Sequence, residues 1–269
     1  MMIAVEPDIE RRFGGVARLY GNAGLAKLQA AHIVVIGIGG VGSWVAEALA
    51  RNAVNMITLI DLDNIAESNV NRQIHAINGA FGKAKVAAMR ERLLSINPSC
   101  KISEIEDFVT PENITQLLNF KCDLIIDCID DTQAKLAIAI FCNVQNIPLI
   151  MAGSAGGRLD PTSIQVADLA NVTGDKLLAK VRNQLRRDHQ FPKASNNQKS
   201  AKFNITCVFS DEQVIKPEKP QFDEACAFDV GKKSQSITGL NCAGYGSSVC
   251  VTATFGFTAA QIAINLVVA

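Results

Sequence analysis

Apolar positions in this chain fall into short unbroken runs, separated by longer stretches in which they recur at helical spacing. Residues 6–31 predict an N-terminal helical arm, charged first in "EPDIERRF" and then apolar-spaced in "LAKLQAA". "HIVVIGIGG" reads as a buried strand entering a glycine turn, and "GSWVAEALARNAV" as the helix that follows. "MITLIDLD" is a second strand ending in two aspartates. The alternation continues with a helix over Lys83–Ile96, a strand near "KISEIED", a helix over Pro111–Asn119 and the strand "CDLIIDCID". A further helix, "TQAKLAIAIFCNVQN", leads to the strand "PLIMAG". Strands alternating with helices predict an α/β fold, a Rossmann-like doubly wound, mostly parallel sheet with ligands at the C-terminal strand ends.

The pattern changes after Gly157, so residues 1–157 form the expected core with its arm and residues 158–269 an extension packed on the same domain. "TSIQVADLA" and "NITCVFSDEQVI" read as strands. Between them, residues 176–202 read as a basic loop without apolar continuity, and residues 216–239 as a second loop. The stretch from Val249 to Ala269 is apolar but interrupted by Thr252, Thr254, Thr258, Gln261 and Asn265, which predicts a buried helix rather than a membrane span.

Composition narrows the partners. Twenty-six basic residues balance twenty-six acidic ones, so any nucleic-acid site is a local patch, and no membrane partner is indicated. The start of the chain lacks a signal-peptide pattern, which predicts a cytoplasmic location and reduced thiols. None of the eight cysteines is spaced as a zinc knuckle, so no structural zinc is expected.

Four glycines in six residues, Gly37, Gly39, Gly40 and Gly42, leave bare backbone between a strand and a helix, where a phosphate meets free N–H groups. Gly37, Gly39 and Gly42 fit the dinucleotide fingerprint, and Asp61 ends the next strand, placed to accept from ribose hydroxyls. This much does not separate NAD from ATP. Asn69, Arg72 and Lys85 follow closely, and such cations suit nucleotidyl transfer, where triphosphate charge must be neutralised as pyrophosphate leaves. "DCIDD" adds Asp127, Asp130 and Asp131 at another strand end, with hard oxygens for Mg²⁺.

These residues, with the Asp61/Asp63 pair and "SNVNRQ", resemble the adenylating core of the E1-like superfamily over residues 10–155. The resemblance implies that Asp61 binds ribose, that Asn69, Arg72 and Lys85 contact phosphates beside Asp63 and Gln73, and that Asp130 serves Mg²⁺. It also implies a homodimer whose arm sends an arginine to the partner's ATP, here Arg12 or Arg18 of "RRFGGVARLYG". Further motifs, "NRQIHA", "GRLDPTSIQVADLA", "CVFSDE" and "NCAGYGSSVCVTATFGF", resemble the bacterial tRNA threonylcarbamoyladenosine dehydratase family over nearly the whole chain. That family uses ATP to cyclise the threonylcarbamoyl group on adenosine 37 of tRNA, and it is linked to a cysteine desulfurase sulfur relay. The implied route is an acyl adenylate of the threonyl carboxylate, closed by the carbamoyl oxygen with loss of AMP.

Cys242 in "GLNCAGYG" suits a nucleophile or persulfide carrier, and equally a small residue in a tight loop; Cys207, Cys226 and Cys250 are weaker candidates. Lys180, Arg182, Arg186, Arg187, Lys193, Lys199 and Lys202 form the local basic patch expected to hold tRNA phosphates. "GSAGG", Gly153–Gly157, lines the substrate entrance, offers carbonyls to a monovalent cation (K⁺ or Na⁺), or is a plain turn. His75 packs, caps or takes part in catalysis; His32 and Trp44 read as structural. Three rival functions stay open: an adenylyltransferase for a ubiquitin-like sulfur carrier, an NAD-dependent oxidoreductase, and a nucleotide sensor without turnover.

Overall fold

The computed structural model describes residues 8–193, 201–216 and 245–269. The arm is helix α1 (Ile9–Ala30), and it leads into β1 (His32–Ile36), α2 (Gly42–Arg51), β2 (Met56–Ile60), α3 (Lys85–Ile96) and β3 (Lys101–Ile105). A short α4 (Ile114–Leu117) precedes β4 (Leu124–Asp127), α5 (Thr132–Gln145) and β5 (Leu149–Ala152). The extension supplies β6 (Ile164–Asp168), α6 (Lys176–Asp188), β7 (Ile205–Ser210) and α7 (Val249–Val268).

All seven strands share one sheet in the order β3-β2-β1-β4-β5-β7-β6, parallel except for β6, which runs antiparallel to β7. β5 is wholly apolar, and β1 and β4 are apolar apart from His32 at the start of one and Asp127 at the end of the other, because helices cover both faces of the sheet. One layer holds α1, α2, α3 and α7 over Val45, Leu49, Met89 and Phe255; the other holds α5 and α6 over Ile138, Leu178 and Phe209. The strand order runs outward in opposite directions from the β1/β4 pair, and this switch point places the ligand crevice at the C-terminal ends of those two parallel strands.

Two expectations need correction. Residues 176–188 are not a basic loop but the helix α6, capped by the Asp175 carboxylate accepting from the Leu178 N–H at 2.9 Å. Leu177, Leu178, Val181 and Leu185 make its buried stripe, a helical spacing obscured by the density of cations around it. Helix α7 is buried on one side only: Val251, Phe255, Ala259 and Ala263 face the core, while Cys250, Phe257, Gln261 and Asn265 are exposed. It is the one helix among the described residues long and apolar enough to cross a membrane, and its inner side is packed within this domain.

Candidate active site

The glycine turn works by close approach. Gly37 has φ of 86°, a conformation that disfavours side chains, and a Cβ on Gly42 would lie 1.9 Å from the Gly37 carbonyl oxygen. Val41, at the head of α2, makes no side-chain cap; the Ser43 and Trp44 amides turn back to the Gly39 and Val41 carbonyls at 3.1 Å, which leaves the Val41 and Gly42 amides without a partner among the described residues.

Asp61 closes the turn from β2. Its Oδ2 accepts from the Ile38 N–H at 2.6 Å and its Oδ1 from the Asp63 N–H at 2.9 Å. Lys85, buried at the start of α3, donates to Asp63 Oδ2 at 2.7 Å and lies 3.7 Å from Asp61 Oδ1. Burial raises the Asp61 pKa, and the Lys85 ammonium opposes that rise. The carboxylates therefore keep an ammonium in the crevice before any phosphate arrives.

Arg72 comes in from the other side. Its Nη1 donates to the Ser68 carbonyl at 2.8 Å and to Asn71 Oδ1 at 2.9 Å, and its stem lies where a Cβ on Gly40 would be 3.2 Å away. Burial lowers its pKa, and the charge of Asp130 opposes that fall. Asn69 accepts from the Ala66 N–H at 3.0 Å, and Gln73 is buried with Oε1 unpartnered among the described residues. Trp44 donates to the Arg72 carbonyl at 2.9 Å and meets Phe257 edge-on, tying the Arg72 backbone to α2 and α7.

The three aspartates of "DCIDD" separate into three roles. Asp127 is fully buried, 3.1 Å from the buried Lys135, and Asp131 caps α5 through the Ala134 N–H at 2.8 Å, so neither is free for Mg²⁺. Asp130 is half-buried, near enough for its charge to act on Arg72, and its carboxylate has no hydrogen bond or ion pair among the described residues. Among the described residues no group of three metal-ligating side chains exists, so Asp130 fits a cation shared with phosphate oxygens and not a resident metal cage.

Of the two candidate arginines of the arm, Arg12 is committed within its own chain: Nη1 donates to the Ser95 and Ile96 carbonyls at 3.2 and 2.7 Å, capping α3. Arg18 is exposed, with no partner among the described residues. In the basic patch, Arg182 donates to the Val172 carbonyl, Arg186 donates to the Pro192 and Ala170 carbonyls over the Phe203 ring, and Arg187 pairs with Asp188 at 2.7 Å. Lys180, Lys193 and Lys202 are exposed, whereas Lys199, Cys226 and Cys242 lie outside the described residues.

Cys207 is buried, with its pKa raised by desolvation. Cys250 lies in the first turn of the apolar helix α7 and is exposed there. His32 is structural, with its ring between the Lys121 carbonyl and Thr58.

The chain matches the ThiF family over residues 14–268. It belongs to that family. This ThiF-family chain is 48% identical over 259 residues to the tRNA threonylcarbamoyladenosine dehydratase of Haemophilus influenzae, covering 96% of this chain and 94% of the relative. It is 42% identical over 270 residues to the Escherichia coli dehydratase, covering 100% and 98% of the two. The crystal structure of the E. coli tRNA N6-threonylcarbamoyladenosine dehydratase TcdA in complex with ATP superposes with a TM-score of 0.83 at 41% identity, over 98% of this chain and 97% of that one.

Three features of this ThiF-family site escaped sequence reasoning. Lys135 sits in the apolar helix after "DCIDD", and its charge there was the available signal. Arg158, 1% exposed, ties the 153–158 loop to the rest of the extension through the Ser154 and Glu212 carbonyls and the Asp175 carboxylate. With Ser154 and Gly157 carbonyls already accepting, from Arg158 and from the Ile215 N–H, the Gly153–Gly157 loop has fewer oxygens left for a monovalent cation. Asn71 Nδ2 donates to the Ser247 carbonyl at 2.9 Å, joining the phosphate side to the lead-in of α7.

Proposed function

We propose that this chain is an ATP-dependent tRNA threonylcarbamoyladenosine dehydratase, cyclising the modified adenosine 37 of tRNA by adenylating its threonyl carboxylate. The observation that carries the reading is the adenylating constellation, Asp61, Arg72, Lys85 and Asp130 around an uncapped glycine turn, in a chain related end to end to dehydratases.

ATP lies with its phosphates at the head of α2 and its ribose hydroxyls donating to Asp61, whose oxygens each retain a free lone pair. Arg72 and Lys85 face the phosphates, with Asn69 and Gln73 shaping that wall. Asp130 holds Mg²⁺, which when bound offsets charge on the leaving pyrophosphate. The threonyl carboxylate oxygen bonds to the α-phosphorus as the bond to pyrophosphate breaks. The carbamoyl group then attacks the activated acyl carbon, expels AMP and gives up its proton. The nucleophile is part of the same molecule, so the closure needs no enzymic thiol. Lys180, Lys193 and Lys202 are the exposed cations left to meet tRNA phosphates.

The active form is a cytoplasmic homodimer in which Arg18 reaches the partner's nucleotide. The exposed row of α7, with Cys250, Phe257, Gln261 and Asn265, carries no charged side chain, which supports a covered face. A monovalent cation and a cysteine desulfurase partner belong to the same reading, the latter acting through Cys242.

The test is pyrophosphate release with tRNA carrying threonylcarbamoyladenosine against the same tRNA lacking it. Release confined to the modified tRNA, with loss of one water (about 18 Da) from the nucleoside, is the expected result, and Asp130→Ala lowers the rate at least about 100-fold while the fold persists. ATP binding with both tRNAs inert refutes the reading and redirects it to a protein carboxylate.

A further inference from the structure

Lys135 lies on the buried side of α5 among Ala134, Leu136, Ala137 and Ile138, and its side chain is fully inaccessible. An apolar residue would fill that place without stripping an ammonium of water, so the lysine is poorly explained by stability alone. Its partner is Asp127, the last residue of β4, which stands beside Ile36 in the sheet, immediately before Gly37. The contact is an ion pair at 3.1 Å without an aligned hydrogen bond, leaving the other carboxylate oxygen to accept from the Ile129 N–H at 3.0 Å. The preceding amide, Cys128 N–H, donates to the Ile36 carbonyl at 2.8 Å. Two successive amides of the 128–131 turn are thus fixed from below.

That turn abuts the glycine turn. A Cβ on Gly37 would lie 3.0 Å from the Cys128 carbonyl group and from the Ile129 nitrogen. Asp130 follows directly, and Asp131 anchors its other side by capping α5. Asp130 is therefore bracketed by a buried ion pair on one side and a helix cap on the other.

We propose that Lys135 and Asp127 are positioning residues for adenylation, setting the 128–131 turn against the glycine turn and with it the distance from Asp130 to the triphosphate. The inference rests on the adenylation reading above. Misplacing a group by an ångström or so from a remote site lowers a rate by about two orders of magnitude, whereas nucleotide affinity depends mainly on Asp61, Lys85 and the head of α2.

Lys135→Met and Lys135→Gln test this, the second keeping a neutral donor near Asp127. Each is assayed below its own melting temperature for ATP affinity by calorimetry without tRNA, and for kcat of pyrophosphate release with modified tRNA. The expected result is an ATP Kd within about threefold of the parent and a kcat reduced about 10- to 100-fold. A parental kcat in either folded variant overturns the proposal, as does a loss of kcat and ATP binding in equal proportion. Failure of both variants to fold also overturns it, because the pair is then an element of the fold. A parent that binds ATP but releases no pyrophosphate fails the adenylation reading itself, a result distinct from all of these.

Discussion

His75 is 3% exposed beside the nucleotide crevice, and neither ring nitrogen has a partner among the described residues. Burial first, and then the charges of Lys85 and Arg92, push its pKa down to about 4. Below the ordinary histidine pKa of roughly 6.5 the unfolded chain takes up a proton that the folded chain refuses. Stability from this residue is therefore complete above that value and is lost as pH falls toward about 4. His75→Leu should melt within a few degrees of the parent at pH 7.5, since an unpaired buried imidazole contributes little. At pH 5 the variant should be the more stable, by roughly 2 kcal/mol, in paired thermal melts. Equal acid sensitivity in both proteins would remove His75 as the cause. Asp61, Arg72 and Lys85 were legible in the sequence because phosphate and ribose chemistry requires those charges just after strand ends. Spacing alone did not separate Asp130 from Asp127 and Asp131, and only the family resemblance singled it out; the reason the other two are committed, to Lys135 and to the α5 cap, lies in the next helix.

At the level of elements, the βαβ alternation to Ala152 was readable because the central strands β1, β2, β4 and β5 are almost wholly buried and α2, α3 and α5 each carry a buried stripe, whereas the edge strand β3 is polar and half-exposed. Helix α6 was not, although Leu177, Leu178, Val181 and Leu185 have helical spacing, because cations fill every other side of it. Its cations now divide by partner. Arg182 and Arg186 bind carbonyls and anchor the helix, while Lys180 stays in solvent, as does Lys202 just before β7. Lys180→Ala and Lys202→Ala should each reduce the slope of log tRNA affinity against log salt by about 0.7–0.9 without changing the melting temperature. Leu178→Ala should instead cost about 2–5 kcal/mol in stability and leave that slope alone. A double lysine variant with the parental slope would move the tRNA surface elsewhere.

For the molecule as a whole, the position of the arm decides where a complete site can form. Arg12 is held by the end of α3 in its own chain, so of the two arginines expected to cross in the proposed dimer, Arg18 is the one whose side chain has no partner among the described residues. Helix α1 is tied to α7 by Lys27 donating to the Val268 carbonyl at 2.9 Å and by Gln261 donating to the Tyr20 hydroxyl at 3.0 Å, so the arm adjoins the uncharged exposed row of α7, the face that the proposed dimer covers. Phe257→Glu should therefore shift the protein toward monomer in sedimentation, with a parallel loss of pyrophosphate release. Complementation separates a shared site from simple dimer stabilisation. Arg18→Ala and Arg72→Ala are each expected to be inactive as pure dimers. In a mixed dimer, the subunit that keeps Arg72 receives Arg18 from its partner, restoring one of the two sites. Random mixing should then recover roughly a quarter of parental activity, the share set by two-fold symmetry and random pairing. If the mixture stays inactive while sedimentation and subunit exchange show mixed dimers, Arg18 serves the site of its own chain, and the arm has no role across the interface.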